Sequence, residues 1–163
     1  KAIFLSDAIK NALENINECS NCRMYTDSEF CQICSDPKRD STILCVIESP
    51  ADMIAIENSM SFNGKYFVLM GKLSPLDGIG PDQLKLDKLQ SILKDGSIKE
   101  IILANSSTIE GEATASYILN LIEGTDIKAS RIAYGVPMGG ELEYVDSSTL
   151  TQALNNRSIV SKR

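Results

Sequence analysis

Two C-x-x-C pairs are the residues of this chain best placed to do chemistry. Cys19 and Cys22 form the first pair, and Cys31 and Cys34 form the second after the short link of residues 23–30. Each pair turns tightly enough to point both sulfurs at one cation, and the link folds the pairs together. We predict one structural zinc ion per chain, since four sulfurs leave no position for water or substrate.

Two other uses of these thiols are local disulfides and a redox C-x-x-C, which would require reversible oxidation and no stoichiometric zinc. A second C-x-x-C so near the first disfavours both. The sequence has no signal peptide and no apolar run near the ~18 residues of a membrane span, which indicates a reducing compartment. We therefore expect a cytoplasmic protein without membrane contact.

Histidine is absent from all 163 residues, which excludes Ser-His and Cys-His nucleophilic machinery and leaves carboxylates, Lys and Tyr as acid/base groups. The net charge is −6, which is not the footprint of an independent DNA-binding module. Lys38 and Arg39 are the local cations that could still touch DNA.

Apolar spacing predicts the architecture. Residues 4–16 carry Leu5, Ile9 and Leu13 at helical intervals, so they predict an amphipathic helix that needs a partner. Beyond the cysteines, apolar runs of strand length alternate with helical patterns. The runs lie at 43–47, 66–70 and 101–104, with a weaker one at 127–133. This alternation predicts a parallel, three-layer α/β domain.

Acidic residues follow the predicted strands. Glu48 ends the first strand, Asp77 lies in the loop after the second, and Glu110 and Glu112 follow the third. The carboxyl ends of parallel strands share one edge, so these carboxylates could converge there and hold Mg²⁺. The simpler interpretation is that Glu110 and Glu112 favour a helix N-terminus and that Asp77 serves its own turn.

A strand ending in Glu48, followed by the loop of the third strand, resembles the Toprim domain, the metal-binding module of topoisomerases, primases and some nucleases. Longer motifs resemble the RecR family of recombination mediators. They are the cysteine pairs continued to Asp40, LSPLDGIGP at 73–81, IEGEAT at 109–114 and VPMGGELEY at 136–144. The resemblance runs from about Ala8 to about Arg157.

The resemblance implies a connecting helix at 1–18, a zinc finger at 19–34, a Toprim domain at 42–138, and a C-terminal loop and helix at 139–163 that contacts another subunit. It implies a non-enzymatic DNA clamp that works with RecO and RecF to load recombinase on gapped DNA. Family members carry a helix-hairpin-helix domain ahead of the helix, which this sequence lacks. We therefore expect weak DNA binding and a dimer here, and a ring tetramer in the complete protein.

One departure decides between two functions. Active Toprim enzymes carry Asp-x-Asp on the third strand, and those places fall here on Ser106 and Thr108, which are poor Mg²⁺ ligands. We therefore expect Glu48, Asp77, Glu110 and Glu112 to bind a partner rather than Mg²⁺. The alternative is a Mg²⁺-dependent nuclease or primase fragment that keeps Glu48 and recruits Glu110 and Glu112.

Overall fold

The structure is a computed structural model that describes residues 1–159. The chain divides into two compact units, the first covering Lys1–Ser130 and the second beginning at Arg131. Within the described residues, no helix is long and apolar enough to cross a membrane.

The first helix, α1 (Ala2–Asn15), confirms the predicted amphipathic element. None of its residues is buried, and the apolar stripe that includes Leu5, Ile9 and Leu13 faces outward. The first unit therefore does not supply the partner that this stripe needs.

The cysteine pairs lie in a small knuckle that follows α1. It contains the antiparallel strands β1 (Asn17–Glu18) and β2 (Tyr25–Thr26) and the single-turn helix α2 (Gln32–Ser35). Cys19 and Cys22 lie in the turn between the strands, and Cys31 is the N-cap of α2. So little regular structure leaves the knuckle dependent on contacts outside itself.

A four-stranded sheet confirms the predicted α/β class. Its strands are β3 (Asp40–Ile47), β4 (Gly64–Val68), β5 (Glu100–Ala104) and β6 (Lys128–Arg131), in the order β4-β3-β5-β6. β3 pairs in parallel with both β4 and β5. The predicted second strand lies two residues too late, because Met70 turns into the left-handed region at φ 60 and ends the strand conformation.

Three helices connect these strands: α3 (Pro50–Asn58), α4 (Leu86–Lys94) and α5 (Ile109–Leu121). The predicted start of α3 is confirmed in detail. The Ser49 hydroxyl accepts from the amide of Asp52, and the Asp52 carboxylate accepts from the amide of Ser49. This capping box satisfies two helix-end donors and fixes the chain directly after Glu48.

Alternate residues of β3 enter two different cores. Leu44 and Val46 pack with α4 and α5 on one face of the sheet, while Cys45 and Ile47 pack with α3 and the knuckle on the other. Burial raises the pKa of the Cys45 thiol to about 12, which keeps it protonated. Cys45 is thus a small core residue, as its place in an apolar strand predicts.

The second unit contains a short 3₁₀ helix (Leu142–Tyr144) and α6 (Ser147–Asn155), which Asp146 caps. Hydrogen bonds from Ser148 and Thr149 hold the pKa of the Asp146 carboxyl well below its usual range. Met138, Leu142 and Tyr144 are exposed. The subunit contact predicted for 139–163 stays a prediction, and residues 160–163 of that range lie outside the described residues.

Candidate metal centre and acidic edge of the sheet

The four predicted ligands come together in the knuckle. The sulfurs of Cys19, Cys22, Cys31 and Cys34 all lie within 4.8 Å of one another, with Cys22 and Cys31 Sγ 3.5 Å apart. A tetrahedral zinc ion with Zn–S bonds of about 2.3 Å requires sulfurs about 3.8 Å apart. The arrangement fits a four-coordinate ion, and three of the four side chains are buried.

Backbone amides already point at the sulfurs. The Cys31 N–H donates to Cys19 Sγ at 3.3 Å, and the Met24 N–H donates to Cys22 Sγ at 3.4 Å. Burial raises the pKa of the Cys19 thiol, but amides of Cys22, Cys31 and Asn21 outweigh it and lower the pKa to about 7. The hydrogen bond to Cys34 and burial raise the pKa of the Cys22 thiol, and burial raises that of Cys31. The amide donors therefore favour the thiolate at Cys19 and orient the sulfurs, as the second shell of a metal site does.

Two cations that sequence reasoning missed fasten the knuckle to the sheet. Arg23 is buried, and its guanidinium donates to the carbonyls of Leu69 and Leu84 at 2.8 and 2.9 Å. Lys65 Nζ, on β4, donates to the carbonyls of Ile33, Cys34 and Asp36 at the end of α2. Nothing in sequence distinguishes these two cations from ordinary surface residues, because their partners are backbone carbonyls brought near only by folding.

The two cations predicted to touch DNA have different surroundings. Lys38 is exposed. The Arg39 side chain is only 12% exposed and forms a two-pronged ion pair with Glu57, with Arg39 Nη1 2.8 Å from Glu57 Oε1. Tyr66 adds a hydroxyl hydrogen bond of 2.6 Å to the same carboxylate. Contact of either residue with DNA stays a prediction, and in this structure Arg39 holds the link between knuckle and sheet.

The ion pair gives the protein a specific acid sensitivity. The Arg39 guanidinium, with a smaller contribution from Tyr66, lowers the pKa of the Glu57 carboxyl below its ordinary value of 4.5. A carboxyl whose pKa is lower in the folded state contributes stability at pH values above its unfolded-state pKa. That contribution is lost as the pH falls through the folded-state pKa. We expect Glu57→Gln to lower the free energy of unfolding at pH 7 by about 1.5–3 kcal/mol, the range for charged hydrogen bonds.

Urea unfolding of both proteins between pH 7 and pH 3 checks this expectation. The difference in the free energy of unfolding between the wild type and Glu57→Gln should narrow below about pH 4.5, where the glutamate of the unfolded chain becomes protonated. Glu14→Gln, on the exposed face of α1, is the matched control and should change little at either pH. A gap that is constant with pH would contradict the assignment.

Glu48 lies at the end of β3, and Ser106 holds its carboxylate. The amide and hydroxyl of Ser106 donate to Glu48 Oε1 at 2.8 and 2.9 Å. Lys72 reaches the same place from the loop after β4, with Nζ 3.4 Å from Ser106 Oγ and 3.1 Å from Thr108 Oγ1. The two neutral residues at this edge, Ser106 and Thr108, are therefore both hydrogen-bonded. Ser106 bonds to the Glu48 carboxylate, and both hydroxyls accept from the Lys72 ammonium group.

The other predicted acidic residues do not join Glu48 in a common metal site. Asp77 accepts a hydrogen bond of 2.6 Å from Ser74 within its own turn, and Glu110 and Glu112 lie in the first turn of α5. Across residues 1–159, the four cysteines are the one group of three or more His, Cys, Asp or Glu side chains that could share an ion. The edge therefore offers no assembled set of oxygen ligands.

A parallel sheet in which glutamate directly follows the inner strand β3, with a four-cysteine knuckle fastened to the edge strand β4, defines a Toprim protein with an added four-cysteine module. Comparison with known families agrees: the model of the Toprim domain matches residues 42–133, and that of the RecR C-terminal region matches residues 135–158.

Three curated relatives each carry the name Recombination protein RecR. The protein of Coxiella burnetii is 54% identical over 157 residues, which are 96% of this chain and 78% of that protein. The proteins of Alcanivorax borkumensis and Hahella chejuensis are 52% and 48% identical, covering 94% and 96% of this chain and 76% and 78% of their own lengths. The chain belongs to the RecR family of recombination proteins, as its motifs predict.

Proposed function

We propose that this protein is a non-enzymatic recombination mediator that acts with RecO and RecF to load recombinase on gapped DNA. The observation that carries the proposal is the hydrogen bonding at the edge formed by Glu48, Ser106 and Thr108, which we call the Toprim edge. By the resemblance to Toprim enzymes, Ser106 and Thr108 stand at the places of the metal-binding Asp-x-Asp. Both side chains are engaged with Lys72, and Ser106 also holds Glu48. An edge filled by these hydrogen bonds suits a binding surface better than a catalytic metal site.

The metal of the knuckle is proposed to be zinc. Four thiolates at tetrahedral spacing are the ligand set of structural zinc sites, whereas hard cations such as Mg²⁺ take oxygen. The zinc would join the two C-x-x-C turns and supply no chemistry to the Toprim edge.

The acidic residues at the edge are proposed to dock a basic surface of RecO. Glu48, Glu110 and Glu112 are each half-buried, and they lie where β3 ends and where α5 begins. Neighbouring carboxylates create a negative potential that lysine or arginine on a partner relieves, which also speeds encounter. Asp77 is proposed as a further contact on the exposed loop after β4.

Charge reversal tests the docking surface. We expect Glu110→Lys and Glu112→Lys each to weaken RecO binding about 10-fold at low salt, since like charge at an interface costs several kcal/mol and charges that are only half-buried are partly screened. The loss should shrink as salt rises, while the melting temperature stays near that of the wild type. Fluorescence anisotropy with labelled RecO between 50 and 300 mM salt, about the range over which screening changes strongly, measures both effects.

Glu123→Lys provides the control, because it makes the same change in net charge at an exposed position two residues beyond the C-terminal end of α5. An equal loss of affinity in this variant would show that net charge alone governs binding, and it would contradict the proposed docking role of Glu110 and Glu112.

DNA binding by this chain is proposed to be weak. Lys38 is the exposed member of the predicted contact pair, and binding through few phosphate contacts falls steeply with salt. We expect no submicromolar binding of single- or double-stranded DNA at about 150 mM salt. A filter-binding titration that gave tight binding under those conditions would overturn this part of the proposal.

A second candidate is a Mg²⁺-dependent nuclease or primase, favoured by the retention of Glu48 at the end of β3. Its signature would be strand cleavage or primer synthesis that requires Mg²⁺ and disappears in Glu48→Gln. The mediator is expected to leave gapped DNA intact with either residue.

Assembly completes the proposal. The exposed apolar face of α1 and the exposed Met138, Leu142 and Tyr144 of the second unit support self-association, proposed as a dimer of this chain. Light scattering at several concentrations measures the state directly.

A further inference from the structure

Arg23 connects the cysteine knuckle to the loop between β4 and α4, residues 70–83, which we call the β4–α4 loop. It follows Cys22 directly, and its amide donates to the Cys19 carbonyl at 3.1 Å. This turn places Arg23 in the left-handed region at φ 69, which L-residues seldom adopt. The same turn that gathers the first two sulfurs therefore also sets the position of Arg23.

One nitrogen of the Arg23 side chain bridges the two ends of the β4–α4 loop. Nη1 lies 2.8 Å from the Leu69 carbonyl oxygen and 2.9 Å from that of Leu84, while Nε is 3.0 Å from the Glu18 carboxylate. Arg23 is 4% exposed, and both leucines are fully buried. Withdrawal of the guanidinium would leave two buried carbonyls without this donor, which is costly.

The β4–α4 loop in turn places Lys72 at the Toprim edge. Gly71 N–H donates to the Glu48 carbonyl, and Leu73 N–H donates to Thr114 Oγ1, both at 2.9 Å. Met70 and Gly71 at the start of the loop have positive φ angles of 60° and 149°. Gly71 adopts such a conformation readily, whereas Met70 keeps it only where surrounding contacts hold it.

We propose that Arg23 couples the metal state of the knuckle to the order of the β4–α4 loop. Loss of the metal frees the turn of Cys19 and Cys22, Arg23 leaves Leu69 and Leu84, and the loop that carries Lys72 moves away from Ser106 and Thr108. The inference rests on the proposed zinc site. Metal binding by the thiols of the knuckle would thereby regulate the Toprim edge, and the β4–α4 loop is the segment that moves.

Hydrogen exchange with mass spectrometry tests the coupling, with zinc content measured in every sample. Peptides covering residues 70–84 should exchange at least about 10-fold faster in chelator-treated wild type, and in Arg23→Met that still holds zinc, while β5 keeps its protection. Arg23→Lys keeps the charge without the guanidinium fork and should show the same faster exchange. Arg39→Met, which removes another guanidinium ion pair near the knuckle, should leave residues 70–84 unchanged.

Each contrary result has one meaning. Wild-type protein without stoichiometric zinc would overturn the site and the coupling built on it. Zinc present, with residues 70–84 equally protected after chelation or in both Arg23 variants, would overturn the coupling alone. Loss of protection throughout β3 and β5 on chelation would also overturn it, because the effect would then be global unfolding.

Discussion

Cys31→Ser is expected to lose the bound metal and to disorder residues 15–40. A hydroxyl is a poor ligand, so the site is left with three sulfurs and an open position. Apparent zinc-binding free energies in small peptides are about 10–16 kcal/mol, as large as the whole stability of a typical domain at about 5–15 kcal/mol. The knuckle has two strands of two residues each and one single-turn helix, and so has little else to hold it.

Zinc content by atomic absorption, together with amide protection of residues 15–40, measures this outcome. Cys45→Ala is the matched control, because it removes the one cysteine outside the cluster and should retain stoichiometric metal. Full metal content with unchanged amide protection in Cys31→Ser would refute the site.

Gly111→Ala is expected to destabilise the fold by about 1–3 kcal/mol, the usual range for added atoms in a packed site. In an open helix the same substitution would stabilise by about 0.5–1 kcal/mol. Here a Cβ at residue 111 would lie 2.1 Å from the Ser106 carbonyl oxygen, a backbone atom that cannot move alone. Since Ser106 holds Glu48, its displacement should also weaken the proposed docking of RecO.

Urea unfolding checks the sign as well as the size. Ser116→Ala, at an exposed position of α5, is the control and should be neutral or slightly stabilising. A gain in stability in Gly111→Ala would mean that α5 does not pack against Ser106 as the structure has it.

The sequence predicts the sheet well because its strands carry their own signal. Val46 and Ile47 belong to an apolar run that must be buried on both faces of the sheet. The Ser49 capping box is formed by residues close in sequence, so it marks the start of the next helix without any tertiary contact. The cysteine cluster was equally predictable, because two C-x-x-C pairs give both the ligand type and the spacing.

Long-range polar contacts could not be predicted in the same way. Arg23 donates to carbonyls 46 and 61 residues away, and Lys72 contacts hydroxyls 34 and 36 residues away. Every residue has a backbone carbonyl, so residue type does not mark the partners of Arg23. The hydroxyls that Lys72 contacts are brought near it only by folding. Sequence could not decide between a shared Mg²⁺ site and local roles for the acidic residues, and in the structure Asp77 bonds within its own turn, as the simpler interpretation predicts.

In the proposed function, the Toprim edge binds a protein partner without a catalytic metal. Calorimetric titration of RecO into this chain, with Mg²⁺ absent and then present, tests it most directly, accompanied by a titration of Mg²⁺ alone. We expect RecO to bind with the same affinity in both buffers, and Mg²⁺ alone to give no saturable heat below about 1 mM, since the described residues of the edge form no assembled set of oxygen ligands for this ion. Tight Mg²⁺ binding that Glu48→Gln abolishes, with RecO affinity indifferent to reversal of Glu110 and Glu112, would contradict the account.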